Sequence, residues 1–235
     1  MENKAVHAMV ITPHHRDAEY AIAGKVIQWK REGKETVFVV CTGGEKSTSD
    51  PNKHPGMLAK IREEEQIASA RVLGVSRVIF LRNPDLGLEE TPKFRHEILR
   101  LILTYRPEIV VTCDPLYQMR QSNPDHRVTG RVVLDAVWPY ASAPNSYRDL
   151  LDEGLQLHKV KEVWLFQTEE PNLFFDIGDV FDMKLAALAC HKSTVGDPMK
   201  AEFIERRTEA AMQAAKGQNY KLGEAFLRTE VLQRL

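Results

Sequence analysis

Four short apolar, β-branched runs recur along the first 140 residues: 5–12 (AVHAMVIT), Thr36–Thr42 (TVFVVCT), 77–81 (RVIFL) and Ile109–Cys113 (IVVTC). Continuous runs of this kind are expected of strands buried on both faces. The stretches between them carry helical patterning. Asp17–Arg31 ends at Gly33, 57–73 ends at Gly74, and 93–105 ends at Pro107, the residue types that usually stop helices. A fourth helix is expected from about His126 to Trp138. Strand–helix alternation with connections of about a dozen residues or more predicts a parallel sheet with right-handed crossovers.

The pattern changes after Pro139. Residues 141–154 read as loop. Two aromatic-rich strands, 162–167 (EVWLFQ) and 172–177 (NLFFDI), flank a turn with Glu169-Glu170-Pro171, which suggests a hairpin or two strands added at a sheet edge. Helices are expected over 180–191 and 199–216. The fold class is therefore α/β: a Rossmann-like, mostly parallel sheet with helices on both faces and a C-terminal α+β extension. One domain is expected over 1–235, with 1–140 as a doubly wound core and 141–235 as the extension.

Composition narrows the function classes. Of 235 residues, 43% are hydrophobic and 28% charged, enough for an ordinary packed core without staples. Lys+Arg 32 against Asp+Glu 33 gives a net charge of −1, so a dedicated nucleic-acid binder is not expected. Cys41, Cys113 and Cys190 are too few and too scattered for a disulfide framework or a cysteine zinc site. No apolar run approaches the ~18–20 residues of a membrane span, and Met1-Glu2-Asn3-Lys4 lacks a signal-peptide character. A cytoplasmic location is the expectation. No G-x-G-x-x-G follows the first strand, which argues against dinucleotide binding.

Two polar clusters stand where strands hand over to helices: Pro13-His14-His15-Arg16-Asp17-Ala18-Glu19 and Asn123-Pro124-Asp125-His126. Both fall at carboxyl ends of parallel strands, where open α/β sheets bind ligands. His14, Asp17 and His126 together form a candidate metal site. Zinc accepts imidazole nitrogen and carboxylate oxygen, and a catalytic zinc keeps an open position beside three protein ligands. Asp125 is placed to orient a ligating imidazole. Singly, each residue has a plainer reading: Asp17 and Glu19 suit the positive end of a helix, and Pro124 suits a helix start.

The first cluster, followed by a helix containing Gly24, resembles the P-H-P-D-D-A-E signature of the PIG-L/LmbE-type zinc-dependent N-deacetylases. The second resembles their H-P-D-H motif, continued by Arg127 and Gly130. Similar runs recur at Thr42-Gly43-Gly44-Glu45, Arg62-Glu63-Glu64-Glu65, Arg106-Pro107-Glu108, His191-Lys192-Ser193 and Glu224-Ala225-Phe226-Leu227-Arg228. The resemblance implies a metal, zinc or another divalent ion, on His14, Asp17 and His126. It also implies hydrolysis of an N-acetylated sugar or similar small molecule by attack of metal-activated hydroxide on the acetyl carbonyl.

Three positions depart from the family pattern. Arg16 replaces the aspartate that serves there as general base, His15 replaces a proline, and Asn123 replaces the histidine that helps stabilise the oxyanion. Arginine only donates hydrogen bonds, whereas asparagine still donates one but cannot titrate. His15, Glu19, Asp114 and Asp125 are candidate replacement bases. The resemblance places His191 in the same crevice; alone, it reads as a histidine suited to a helix C-terminus. Arg16 should favour an anionic ligand, and Arg62 either adds to that field or is a solvated helix charge. Two readings follow: an amide hydrolase acting on a GlcNAc conjugate or other anionic compound, or a non-catalytic metal- or anion-binding paralogue. Residues 45–55, 114–122 and 141–154 are expected to shape the pocket. Proteins resembling this one commonly form homo-oligomers, though no interface is legible here.

Overall fold

The computed structural model describes residues 5–48, 52–117, 123–196 and 200–231. The first half follows the expected alternation: β1 (Ala8–Thr12), α1 (Asp17–Arg31), β2 (Thr36–Thr42), α2 (Pro55–Leu73), β3 (Arg77–Asn83), α3 (Pro92–Tyr105), β4 (Ile109–Cys113) and α4 (Pro124–Val137). Helices α2 and α4 begin two residues earlier than expected. Each takes a proline into its first turn, where a missing N–H costs nothing. Residues 141–154 are not all loop, because they hold the end of a 3-10 turn and α5 (Arg148–Asp152). Part of the 45–55 and 114–122 loops, and Met199 at the expected helix start, lie outside the described residues.

The later elements are β5 (Glu162–Phe166), β6 (Leu173–Asp176), α6 (Phe181–Ala189), α7 (Lys192–Val195), α8 (Ala201–Ala214) and β7 (Gly223–Glu230). All seven strands join one sheet in the order β3-β2-β1-β4-β5-β7-β6. Strands β1 to β5 pair in parallel, and β7 runs antiparallel to both β5 and β6. Of the two arrangements expected, the hairpin does not form, and both strands extend the sheet beyond β4 with β6 at its edge. Strand β7 separates the two strands that are neighbours in sequence and supplies both with partners.

Alternation along each strand explains why the sheet is covered twice. Met9 and Ile11 join Val37, Val39 and Val110 in one core beneath α3 and α4, where Ile98, Ile102 and Val133 are buried. Ala8 and Val10 join Phe38, Val111 and Trp164 in the other core, with Ile22 and Val26 of α1. A side-chain period of two sends neighbouring residues to opposite faces, so a strand buried on both needs an unbroken apolar run. Close approach fixes α4 on the sheet: a Cβ on Gly130 would meet the Cys113 carbonyl oxygen at 2.5 Å. Among the described residues, no helix is long and apolar enough to cross a membrane.

Strand β7 is tied to α1 by a buried ion pair. Glu224 accepts from the Gly24 and Lys25 N–H groups at 2.8 and 2.9 Å. Lys184 of α6 reaches Glu224 at 2.6 Å and the Tyr20 carbonyl at 2.9 Å. The pair thus grips both ends of one rung of the α1 ladder. Glu224→Leu should cost about 3–5 kcal/mol in urea unfolding, because it strands a buried ammonium. Adding Lys184→Met should recover part of that loss; no recovery would show that the backbone contacts of Glu224, rather than the charge pair, dominate.

Candidate metal centre

The turn between β1 and α1 is short and conformationally demanding. Thr42 holds it through its N–H and hydroxyl, both 2.9 Å from the Pro13 carbonyl. Arg16 lies in the left-handed region at φ 75°, unusual for a residue with a Cβ, and its N–H donates to Gln66 Oε1 at 3.0 Å. This bend lets Asp17, the first residue of α1, fold back and accept the His14 N–H at 3.1 Å. On the other side, Asn123 Oδ1 caps α4 by accepting the Asp125 N–H at 2.9 Å, so Asp125 and His126 occupy its first turn.

These two ends meet. Asp17 Oδ2 lies 3.3 Å from His14 Nδ1 and 3.4 Å from His126 Nε2. One donor atom from each of the three residues falls within 4.8 Å of the others. A tetrahedral ion with bonds of ~2.0–2.1 Å holds its ligand atoms ~3.3–3.4 Å apart, so the observed donor contacts match that geometry. Behind His14, Asp125 Oδ2 lies 3.2 Å from Nε2 and Asp85 Oδ1 lies 3.3 Å from it. Asp125 is itself held by the Leu86 and Leu88 N–H groups at 2.8 and 3.2 Å.

The field around His14 is strongly negative. Burial would lower its pKa, but contacts with Asp125, Asp17 and Asp85 outweigh burial and raise it to about 11. Burial would likewise raise Asp85, yet His14, the Lys46 N–H and Ser47 bring it down to about 2. The three carboxylates therefore favour positive charge at this position, whether a proton on His14 or a cation among the donor atoms.

Asp85 was not legible as a site residue. Asn83-Pro84-Asp85-Leu86-Gly87 has ordinary turn composition, which conceals that the turn follows β3 at the same carboxyl edge. Asp85 is fully buried, and the contact of its Oδ1 is with His14 Nε2 at 3.3 Å. Gln167 was missed for the same reason. It follows β5 at φ 52° and accepts from His126 Nδ1 at 3.0 Å, which turns Nε2 towards Asp17.

The remaining expected residues lie around this cluster. Arg62 is neither solvated nor free: it is buried and donates to the carbonyls of Gly44 and, at 2.7 Å, Ser47, bracing the loop after β2. His191 lies between α6 and α7, its N–H donating to the Leu188 carbonyl in the last turn of α6, and its side chain is fully buried with Nε2 3.5 Å from Glu19 Oε1. Glu19 also accepts from Gln66 and Ser69 at 2.6 and 2.7 Å. His15 stacks on Phe80 at 5.7 Å, and burial, with His191 and Arg62 nearby, pushes it down to about 4. Asp114 accepts the Leu116 N–H at 2.9 Å. Arg16 places its guanidinium 4.7 Å from the Tyr20 ring centroid.

The GlcNAc-PI de-N-acetylase (PIG-L) family model matches residues 9–137, which contain every residue of the His–Asp cluster. The chain belongs to the PIG-L family. It is 34% identical over 191 residues to a diacetylchitobiose deacetylase of Thermococcus kodakarensis, covering 81% of this chain and 71% of that protein. It is 25% identical to a 1D-myo-inositol 2-acetamido-2-deoxy-alpha-D-glucopyranoside deacetylase of Mycobacterium sp. (strain KMS), covering 91% and 82%. Among solved structures, the N,N'-diacetylchitobiose deacetylase of Pyrococcus horikoshii in complex with its inhibitor MPG matches with a TM-score of 0.88 at 28% identity, covering 96% of this chain and 84% of that one. The 4-carboxy-2-hydroxymuconate hydratase GalB of Pseudomonas putida shares the fold at 20% identity, with a TM-score of 0.79 and coverage of 98% and 99%. The shared fold therefore leaves the reaction to be argued from the site.

In this PIG-L chain the charge on His14 depends on the carboxylates around it. In chelator-treated protein, Asp125→Asn should move the His14 titration downward from about 11. An NMR titration of the imidazole would check this, and an unchanged titration would remove Asp125 from the account.

Proposed function

We propose that this chain is a metal-dependent amide hydrolase that removes the acetyl group from an N-acetylated amino sugar or a similar small molecule. The observation that carries the reading is the approach of Asp17 Oδ2 to His14 Nδ1 at 3.3 Å and to His126 Nε2 at 3.4 Å, with a donor atom of each residue within 4.8 Å of the others, in a PIG-L chain. The donor set fits zinc, two imidazoles and one carboxylate leaving a position open. When bound, the ion supplies Lewis-acid polarisation and lowers the pKa of water towards ~7. The free thiols of Cys41, Cys113 and Cys190 support a reducing, cytoplasmic setting.

The chain's own residues prepare the site. Asp125 takes the His14 Nε2–H and so turns Nδ1 towards Asp17. Gln167 does the same for His126 from the opposite side. Asn123 uses its carbonyl oxygen to cap α4, which leaves its amide hydrogens to donate to an oxyanion. Glu19 belongs to the buried network with Gln66, Ser69 and His191, His15 is buried against Phe80, and Asp125 is already committed to two N–H groups. Arg16 cannot accept a proton.

Arg16 is also the observation that favours a second reading, a protein that holds a metal or an anion without turning over an amide. Hydrolysis of N-acetylglucosamine conjugates by the zinc-loaded protein separates the two. Turnover should vanish on chelation and in His14→Ala. Arg16→Asp should raise kcat/KM by about 10²–10⁴-fold, the usual contribution of a positioned base. Metal in the purified protein with no turnover on any amide, in either form, would favour the second reading. Separately, Gln167→Ala should weaken zinc affinity by about 10–100-fold in competition with a chelator, because the His126 tautomer loses its support.

A further inference from the structure

Tyr20 stands one turn beyond Asp17 on the same face of α1. Its ring meets two guanidinium groups: Arg16 Cζ lies 4.7 Å from the centroid and Arg207 Cζ, from α8, lies 4.5 Å from it. Such contacts hold an arginine in place without neutralising it. Arg206, the neighbour of Arg207, is paired with Glu202. Neither Arg16 nor Arg207 forms an ion pair among the described residues, although Arg16 is near enough to help hold the Asp17 carboxyl low, and the Nε of each is buried without a hydrogen bond. Those buried Nε groups are closed to a ligand, so what bears on binding is the positive charge that neither guanidinium loses to an ion pair.

Tyr20 and Arg207 line a cavity of about 320 Å³ that Asp17 and Gln167 also enter. That places it directly beside the His–Asp cluster, at the low end of the ~300–1,000 Å³ range of small-molecule pockets. The short side chains of Ala210, Ala211 and Ala214 on α8 leave the space open. Its other charged lining groups are accounted for. Lys184 and Glu224 neutralise each other at 2.6 Å, and Asp17 belongs with the two histidines. The charge left without a counterpart is that of Arg207, reinforced across the Tyr20 ring by Arg16.

We propose that this cavity binds an anionic group, a carboxylate or a phosphate, carried by the substrate itself, with Arg207 as the residue that grips it. The substrate class is then an acidic N-acetylated sugar conjugate rather than a neutral one. A guanidinium offers paired N–H donors that match either anion, and a charge-assisted contact is stronger than a neutral one. The acetyl half of this assignment rests on the deacetylase reading above, and the acidic half rests on the cavity alone.

Turnover and binding test the two halves separately. The zinc-loaded full chain is assayed on methyl N-acetylglucosaminide, N-acetylglucosamine 6-phosphate and an N-acetylglucosaminide with a carboxylate aglycone. At least one acidic substrate should exceed the neutral one tenfold in kcat/KM. Arg207→Gln should reduce that ratio at least tenfold, with part of it restored in Arg207→Lys, and the phosphate and carboxylate arms identify the anion. Calorimetry with glucosamine 6-phosphate and the deacetylated carboxylate glycoside reads the subsite without turnover. Binding that weakens tenfold or more in Arg207→Gln supports the subsite even if no amide is cleaved, an outcome that would sink only the deacetylase reading. Equal hydrolysis of neutral and acidic substrates, unmoved by Arg207→Gln, overturns the subsite and leaves the deacetylase reading standing. Absence of anion binding at millimolar concentration in the wild type also overturns it.

Discussion

Parallel pairing of β1 with both β2 and β4 is the constraint from which the site grows. The chain leaves β1 into α1 on one face of the sheet and leaves β4 into α4 on the other. The loops after the two strands therefore part at the carboxyl edge and open a crevice that neither helix covers, the switch point of a doubly wound sheet. Residues 111 positions apart, such as His14 and Asp125, come within 3.2 Å only because of this arrangement. The neighbouring strands then supply the rest of the rim, with Asp85 beyond β3 and Gln167 at the end of β5.

Electrostatics give the crevice its character. Asp17, Asp85 and Asp125 crowd one imidazole, and the last two are almost entirely buried. Buried carboxylates are tolerable only with N–H donors or cations to meet them. Leu86, Leu88 and Lys46 supply backbone N–H groups, and Asp85 Oδ1 turns to His14 Nε2. The surplus negative charge lies inside the crevice, while Arg16 and Arg207 place positive charge on Tyr20 at one side of it. A small molecule arriving there would meet opposite fields a few ångströms apart, which orients a ligand with distinct ends.

Most of the parallel sheet was legible because a strand buried on both faces must be apolar throughout, and 36–42 and 109–113 could hardly be read otherwise. His14, Asp17 and His126 were legible as a set because both polar clusters follow strands of the same sense. Asp85 and Gln167 were not, since nothing in a proline–aspartate turn or a strand-ending glutamine separates a site residue from an ordinary one. For Arg62 and His191 the sequence left a site role and a surface or helix-end role open, and burial shows that both are internal. Strand β7 was missed because 223–230 mixes Gly, Glu, Arg and Thr with two large apolar residues. Its buried Glu224 has the wrong polarity for a core strand until Lys184 is seen beside it.

The position of β7 bears on how the molecule is assembled during synthesis. A ribosome delivers β5 and β6 well before β7, yet β6 joins the sheet only through β7. Until residue 224 emerges, Lys184 has no carboxylate partner and the α1 rung at Tyr20 and Gly24 lacks its clamp. The wall of the cavity that Glu224 and Ala225 help to form is missing for the same interval. Nascent chains would thus carry the His–Asp cluster long before they carry a closed pocket beside it. The wall of the pocket comes from a segment made long after the motif whose residues it stands beside.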